Sequence, residues 1–295
     1  MNTHNNISVC APAKINLFLH VVGKREDGYH LLDSLVVFTE CGDLIDVEAF
    51  DAISIEVVGR FAASLSNIPQ EENLVWKAAM ALQKYTHSNQ GAHIRLTKNL
   101  PIGSGIGGGS ADAAATIHAL LKLWKLDIPQ KNLSEIALTL GSDVPVCLYG
   151  KPALMRGIGD DLIPVTLQEK IYLVLINPNI LLSTAEVFRD FNYNKNLSPK
   201  RKLLENVCSF TEISDEIEFS NDLELVSIQK LPIIGEMLLA LRGTQGCFLA
   251  RMSGSGATCF GLYYDEESAC RAAKKLQVIY PQAWFELTHI IANNC

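Results

Sequence analysis

The sequence predicts an α+β protein of two lobes, and three observations carry that expectation. Strand-like and helix-like segments alternate through the N-terminal half with no internal repeat. The pattern restarts after about Gly159 with a second mixture of strands and helices. A glycine-rich loop, Gly103–Gly109, sits tightly between two apolar elements in the first half. Residues 1–155 are therefore expected to form an N-terminal lobe and residues 156–295 a C-terminal lobe, meeting near residues 150–165.

The first strands follow from β-branched content and period-two alternation: Ile7–Val22, Ser34–Val47, Ile53–Val58 and Ala92–Lys98. On the first of them, Lys14, Asn16, Phe18 and His20 share one side, whereas Ile15, Leu17, Leu19 and Val21 form an apolar side suited to a core. Glu71–Tyr85 has helical spacing at Leu74, Ala78, Ala81, Leu82 and Tyr85. Ser110–Trp124, rich in Ala and Leu, reads as a helix, and so does Asn132–Leu140, closed by Gly141. Asp143 then falls where the chain is expected to leave a helix and enter a strand at Val144–Pro145. In the second half Ile171–Asn177 is an apolar strand, and Ser198–Pro199 open a helix with an N-cap and a first-turn proline. Pro232 breaks the next helical stretch. Cys247–Met252 and Thr258–Tyr263 are strands around a second glycine loop, Cys270–Tyr280 is helical and Ala283–Ile291 is a last strand.

Composition excludes several classes of function. Apolar residues make up 48% of the chain, enough for a substantial core, yet no apolar run approaches the ~18 residues of a membrane span. Residues 1–6 have neither a basic nor an apolar signal region, so a cytoplasmic protein without membrane partners is expected. The eight cysteines show no C-x-x-C spacing and read as buried free thiols rather than zinc ligands. A net charge of −7 argues against a nucleic-acid surface but leaves room for an anionic small substrate. The acidic run Glu212–Glu224 reads as a solvated face.

Five glycines among the seven residues Gly103–Gly109 leave backbone N–H groups free to approach a ligand. Strand, glycine loop and helix start together suit a phosphate. A Walker A loop is excluded because Gly109 stands where its lysine belongs. A dinucleotide fingerprint at Gly103, Gly105 and Gly108 lacks its second strand, since Asp127 directly follows a helix. A flexible linker would be more polar and serine-rich.

Pro101–Ser110 resembles the ATP loop of the GHMP kinases (galactokinase, homoserine kinase, mevalonate kinase and relatives). Ala11–Leu19 followed by Asp27–His30 resembles one branch of that family in particular, and Gly141–Val146 and Ser253–Ala257 fall where that branch has its remaining motifs, so the resemblance spans roughly residues 8–260 in the expected order. The resemblance implies a two-lobed GHMP-kinase-like fold with its active site in the inter-lobe cleft, and ATP with Mg2+ as cofactors. It implies that Pro101, Ile102, Gly103, Ser104, Gly105, Ile106, Gly107, Gly108, Gly109, Ser110 and Ala111 hold the nucleotide, with Asn73 and Lys98 near the adenine. Ser104 departs from a frequent glycine and Ala111 from a frequent serine, and neither change removes a backbone donor.

Phosphoryl transfer needs a cation and a group that takes the acceptor's proton. Strand pattern alone leaves Lys14 either in a cleft or in solvent, and Asp143 either a base or a turn residue. The resemblance makes Lys14 and Asp143 the catalytic pair. Ser110 could serve phosphate or Mg2+ or cap its helix. Asp112 lies beside it, and no metal ligand is assigned. Arg25–Gly28 reads as a turn delivering Tyr29 and His30. Asp27–His30 resembles the branch of the family whose alcohol substrate carries a cytidine diphosphate and is phosphorylated on its 2-hydroxyl, in non-mevalonate isoprenoid precursor synthesis. That branch implies Asn16, Tyr29, His30, Thr184 and Phe188 on the substrate side, with aromatic rings stacked on a pyrimidine. Phe188 alone reads as a helix core residue. Other acceptors, of homoserine or mevalonate type, would make the chain indifferent to a cytidyl group. A non-catalytic nucleotide-binding regulator would usually have lost a catalytic group, and Lys14 and Asp143 are both present.

Overall fold

The computed structural model describes residues 6–167, 169–191 and 219–291. The helix expected from Ser198, the cysteines Cys208 and Cys295, and most of Glu212–Glu224 lie outside these residues. The chain divides into two compact units, neither of them one continuous stretch. Among the described residues the first holds 6–13, 42–102 and 107–150, and the second holds 14–41, 103–106, 151–167, 169–191 and 219–291. A single cut at 155/156 does not describe this partition, because strands β1 (Ile7–Lys24) and β2 (His30–Phe50) each run through both units.

In the first unit the 44–50 half of β2 pairs antiparallel with β4 (Gly91–Thr97), in register Leu44 to Thr97. Strand β3 (Ile53–Val58) lies parallel to β4, and the chain between them carries helix α1 (Leu74–Thr86). Parallel neighbours require such a crossover. Asn73 caps α1, its side chain accepting the Val75 N–H at 2.9 Å. Three more helices complete the unit: α2 (Gly108–Leu123), α3 (Gln130–Leu140) and α4 (Val144–Tyr149). The alanines of α2 are buried, and their small side chains let it pack closely on α1 and α4.

Two expectations are corrected here. Val144–Tyr149 is a helix and not a strand, so Asp143 lies at a helix-to-helix junction. A short, wholly buried apolar run does not reveal its period, and Pro145 is tolerated in a first helical turn. Helix α2 starts at Gly108 with Gly107 as its N-cap at φ +66°, so Ser110 is its third residue and does not cap it.

In the second unit the 32–36 part of β2 pairs with β5 (Ala153–Gly157), and β5 pairs with β6 (Asp161–Pro164). Both strands are short and lack clear alternation in the sequence. A separate antiparallel sheet has the order β10 (Trp284–His289), β7 (Tyr172–Asn177), β9 (Cys259–Tyr263) and β8 (Leu249–Met252). Helices α5 (Thr184–Asp190), α6 (Glu224–Lys230), α7 (Ile233–Arg242) and α8 (Glu266–Ile279) belong to this unit, with Pro232 separating α6 from α7. Its core joins Val174, Ile176, Met237, Leu241, Cys259 and Leu276. The six described cysteines are all free thiols, but only Cys147 and Cys259 are buried and Cys10 is exposed, which corrects the expectation of uniform burial. No described helix is long and apolar enough to cross a membrane.

Candidate functional site

The glycine loop takes the conformation its composition permits. Gly103, Gly105 and Gly107 all have positive φ, at +59°, +75° and +66°. Residues 103–106 are anchored within the second unit. The Ile106 carbonyl accepts the Lys14 N–H at 2.9 Å, and the Ser104 carbonyl accepts the Thr258 N–H at 3.1 Å. The Ser253 hydroxyl donates to the Gly105 carbonyl at 3.0 Å and accepts the Asn16 N–H at 3.1 Å. The first glycine loop, the second glycine loop and β1 are thereby fastened together. Glycine is required at this meeting: a Cβ on Gly105 would lie 2.3 Å from the Ser253 carbonyl oxygen. The sequence marks both loops but not this contact.

Lys14 is 3% exposed, so it is not a solvent-facing lysine, and the side of β1 that it shares with Asn16, Phe18 and His20 is as buried as the apolar side. Its ammonium donates to Asn16 Oδ1 at 2.9 Å, and Asn16 Nδ2 donates to Ser34 Oγ at 2.8 Å. Ser34 in turn donates to the Phe18 carbonyl at 2.6 Å. Asn16, on the same strand and itself held by Ser34 of β2, thus orients Lys14, in addition to any substrate contact. The 253–257 loop is held by Asn221, whose Nδ2 donates to the Met252 and Gly254 carbonyls at 2.8 and 2.7 Å. Thr184 and Ser255 share a hydrogen bond of 2.8 Å, which sets Thr184 beside this loop.

Tyr29 and His30 follow a tight turn closed by Arg25 N–H to Tyr29 O at 2.8 Å, with Gly28 at φ +90°. His30 packs against Phe188, ring centroids 5.3 Å apart, and meets Phe191 edge-on at 6.2 Å. Burial, with the Lys24 charge adding to it, lowers the His30 pKa and so favours the neutral imidazole. Tyr29 stands 61% exposed at the tip of the turn. Among the described residues no ring contact joins Tyr29 to Phe188 or Phe191. The structure brings His30, Phe188 and Phe191 into one aromatic group, and Phe191 was not read from the sequence.

In the first unit Lys98 is 3% exposed and therefore no surface residue. Its ammonium lies between Asp43 Oδ2 at 2.5 Å and Asp112 Oδ2 at 2.6 Å. Burial opposes its charge, but the two carboxylates outweigh that and raise its pKa. Burial pushes the Asp112 carboxyl up to about 7, with Lys98 opposing and Asp43 adding to the rise. Asp43 carries no motif and was not singled out by the sequence. Asp143, at the start of α4, makes no side-chain capping bond to that helix. Among the described residues no group of three or more His, Cys, Asp or Glu is arranged to hold a metal ion.

Known proteins match this chain along nearly its whole length. Residues 73–151 match the GHMP kinases N terminal domain, and residues 203–281 match the GHMP kinases C terminal domain. The 4-diphosphocytidyl-2-C-methyl-D-erythritol kinase of Paramagnetospirillum magneticum is 44% identical, over 97% of this chain and 99% of its own. The kinase of the same name from Parvibaculum lavamentivorans is 45% identical over 96% and 97%. Among solved structures, a 4-(cytidine 5'-diphospho)-2C-methyl-D-erythritol kinase superposes with a TM-score of 0.77 at 31% identity, covering 97% of this chain and 100% of that one. The homoserine kinase of Cytophaga hutchinsonii shares the fold, with a TM-score of 0.70 at 19% identity over 99% and 96%. The chain belongs to the GHMP kinases.

Proposed function

We propose that this kinase transfers the γ-phosphoryl group of ATP to the 2-hydroxyl of 4-diphosphocytidyl-2-C-methyl-D-erythritol. The observation that carries the reading is the His30–Phe188–Phe191 aromatic group, whose histidine directly follows Tyr29 in the chain. Planar rings and a neutral imidazole suit a pyrimidine face and its polar edge. Acceptors of homoserine or mevalonate type have no ring to stack. The names of relatives 44–45% identical over nearly the full chain support the same acceptor.

Residues Pro101–Ala111 receive the nucleotide in this reading, with Asn73 and Lys98 toward its adenine side. The first N–H groups of α2 have no partner within the helix and suit phosphate oxygens, aided by the helix dipole. Among the described residues no donor set fits a resident metal cage, and Asp112 is tied to Lys98. Mg2+ fits as an ion carried on the phosphates, with Ser110 the hydroxyl at hand, and it would supply charge neutralisation. Lys14, oriented by Asn16, neutralises charge on the transferred group. The acceptor hydroxyl gives its proton to Asp143 as its oxygen bonds to phosphorus. The bridging P–O bond breaks, and ADP leaves with the electron pair. Tyr29, His30, Thr184 and Phe188 bind the cytidyl end.

The test is turnover of Mg-ATP and the cytidyl substrate, with the product identified by phosphorus NMR. A phosphomonoester at the 2-position is expected, lost in Asp143→Ala while ATP binding is kept. ATP binding with no transfer to this acceptor would contradict the proposal.

A further inference from the structure

Asp43 belongs to none of the sequence motifs, yet it is 1% exposed and three donors converge on it. Its Oδ1 accepts the N–H groups of Asn99 at 2.5 Å and Leu100 at 2.8 Å, and its Oδ2 accepts the Lys98 ammonium at 2.5 Å. Lys98 reaches onward to Asp112 Oδ2, one turn into α2, at 2.6 Å. One side chain on β2 therefore ties the segment leading into the glycine loop to the helix that leaves it. The backbone at Gly108 passes so close that a Cβ there would stand 3.1 Å from Lys98 Nζ.

We propose that Asp43 is a positioning residue for nucleotide binding, fixing residues 98–100 and, through Lys98, the first turns of α2, so that the loop amides between them converge. The inference rests on the kinase reading above. A loop of five glycines has large conformational freedom, and ordering it at the moment of binding would cost affinity. Fixed stems remove part of that cost. The cluster is poorly explained by stability alone. Two buried carboxylates face one ammonium, and Asp112 Oδ1 has no hydrogen-bond partner among the described residues. Apolar packing of similar volume is often as stable as a buried ionic group.

Asp43→Asn keeps the shape and an oxygen for the two amides but removes the anion from Lys98. We expect it to weaken ATP binding about tenfold, equivalent to ~1.4 kcal/mol, and to raise KM for ATP alike with KM for the acceptor unchanged. Amide hydrogen exchange over residues 99–112 should accelerate in the nucleotide-free protein. A merely structural role would lower Tm while leaving ATP affinity and KM of the folded protein at wild-type values, and that result would overturn the proposal. Should Asp43→Asn fail to fold, Asp112→Asn decides. A smaller loss of ATP affinity with faster exchange supports the proposal, and wild-type values for both contradict it. Wild-type protein that binds ATP but does not phosphorylate the cytidyl acceptor defeats the acceptor assignment, while the ATP-affinity comparison still judges Asp43. Wild-type protein that binds no ATP overturns both.

Discussion

The two glycine loops are held by opposite kinds of chemistry. The stems of the first, residues 98–100 and 108–112, are joined by a buried ionic group in which one ammonium serves two carboxylates. The second, residues 253–257, is held by neutral groups: Asn221 donates to two carbonyls, Ser227 donates to the Ser255 carbonyl at 3.0 Å, and the Thr184 and Ser255 hydroxyls share a bond. Neutral bonds are individually modest, and each partner can be lost without stranding a charge. An ionic group fails as a whole, because removing one member leaves buried charge uncompensated. The first loop should therefore be brittle toward single substitutions and sensitive to pH, and the second tolerant.

The largest contrast is expected from Lys98→Met, which leaves Asp43 and Asp112 facing each other without a cation. A loss of about 3–5 kcal/mol in urea unfolding is expected. A loss under 1 kcal/mol would mean that a proton or water replaces the ammonium at little cost. Asn221→Ala removes the amide that donates to the Met252 and Gly254 carbonyls and the acceptor for the Leu223 N–H at 2.9 Å. About 2 kcal/mol is expected for it, and a loss equal to that of Lys98→Met would erase the distinction between the loops.

A pH profile tests the same contrast by its direction rather than its size. The Asp112 carboxyl is raised from 3.8 to about 7 in the folded protein. The folded state thus holds this proton more tightly than the unfolded chain, and wild-type stability falls as pH rises from about 4 to 7. Asp112→Asn cannot lose that proton, so its stability should gain on wild type through the same window and level off above it. Parallel unfolding profiles of the two proteins would show Asp112 ionised throughout.

The sequence showed the loops more clearly than what supports them. Glycine runs, β1 and the helix Gly108–Leu123 are local patterns, and local patterns survive in one dimension. Asp43 acts on residues 55 to 57 positions away, and a lone aspartate in a strand has no spacing to betray it. Phe191 was missed for a related reason, because one exposed-looking aromatic after α5 gives no periodic signal. Lys98 was visible but ambiguous. Burial decides its role, and burial is set by β2 and α2 together. The strand expected at Val144 failed because six apolar residues fit either period. Lys14 and Asp143 are singled out only through the family motifs, since an isolated lysine on a strand and an aspartate in a turn are common.

A GHMP kinase carrying the His30 aromatic group should act on a cytidyl acceptor. The direct measurement is kcat/KM for ADP release with Mg-ATP and three acceptors: diphosphocytidyl-methylerythritol, homoserine and mevalonate. Turnover is expected with the first alone, together with a raised acceptor KM in Phe188→Ala and an unchanged KM for ATP. Equal turnover with homoserine or mevalonate, or a Phe188→Ala variant indifferent to the cytidyl group, would contradict it.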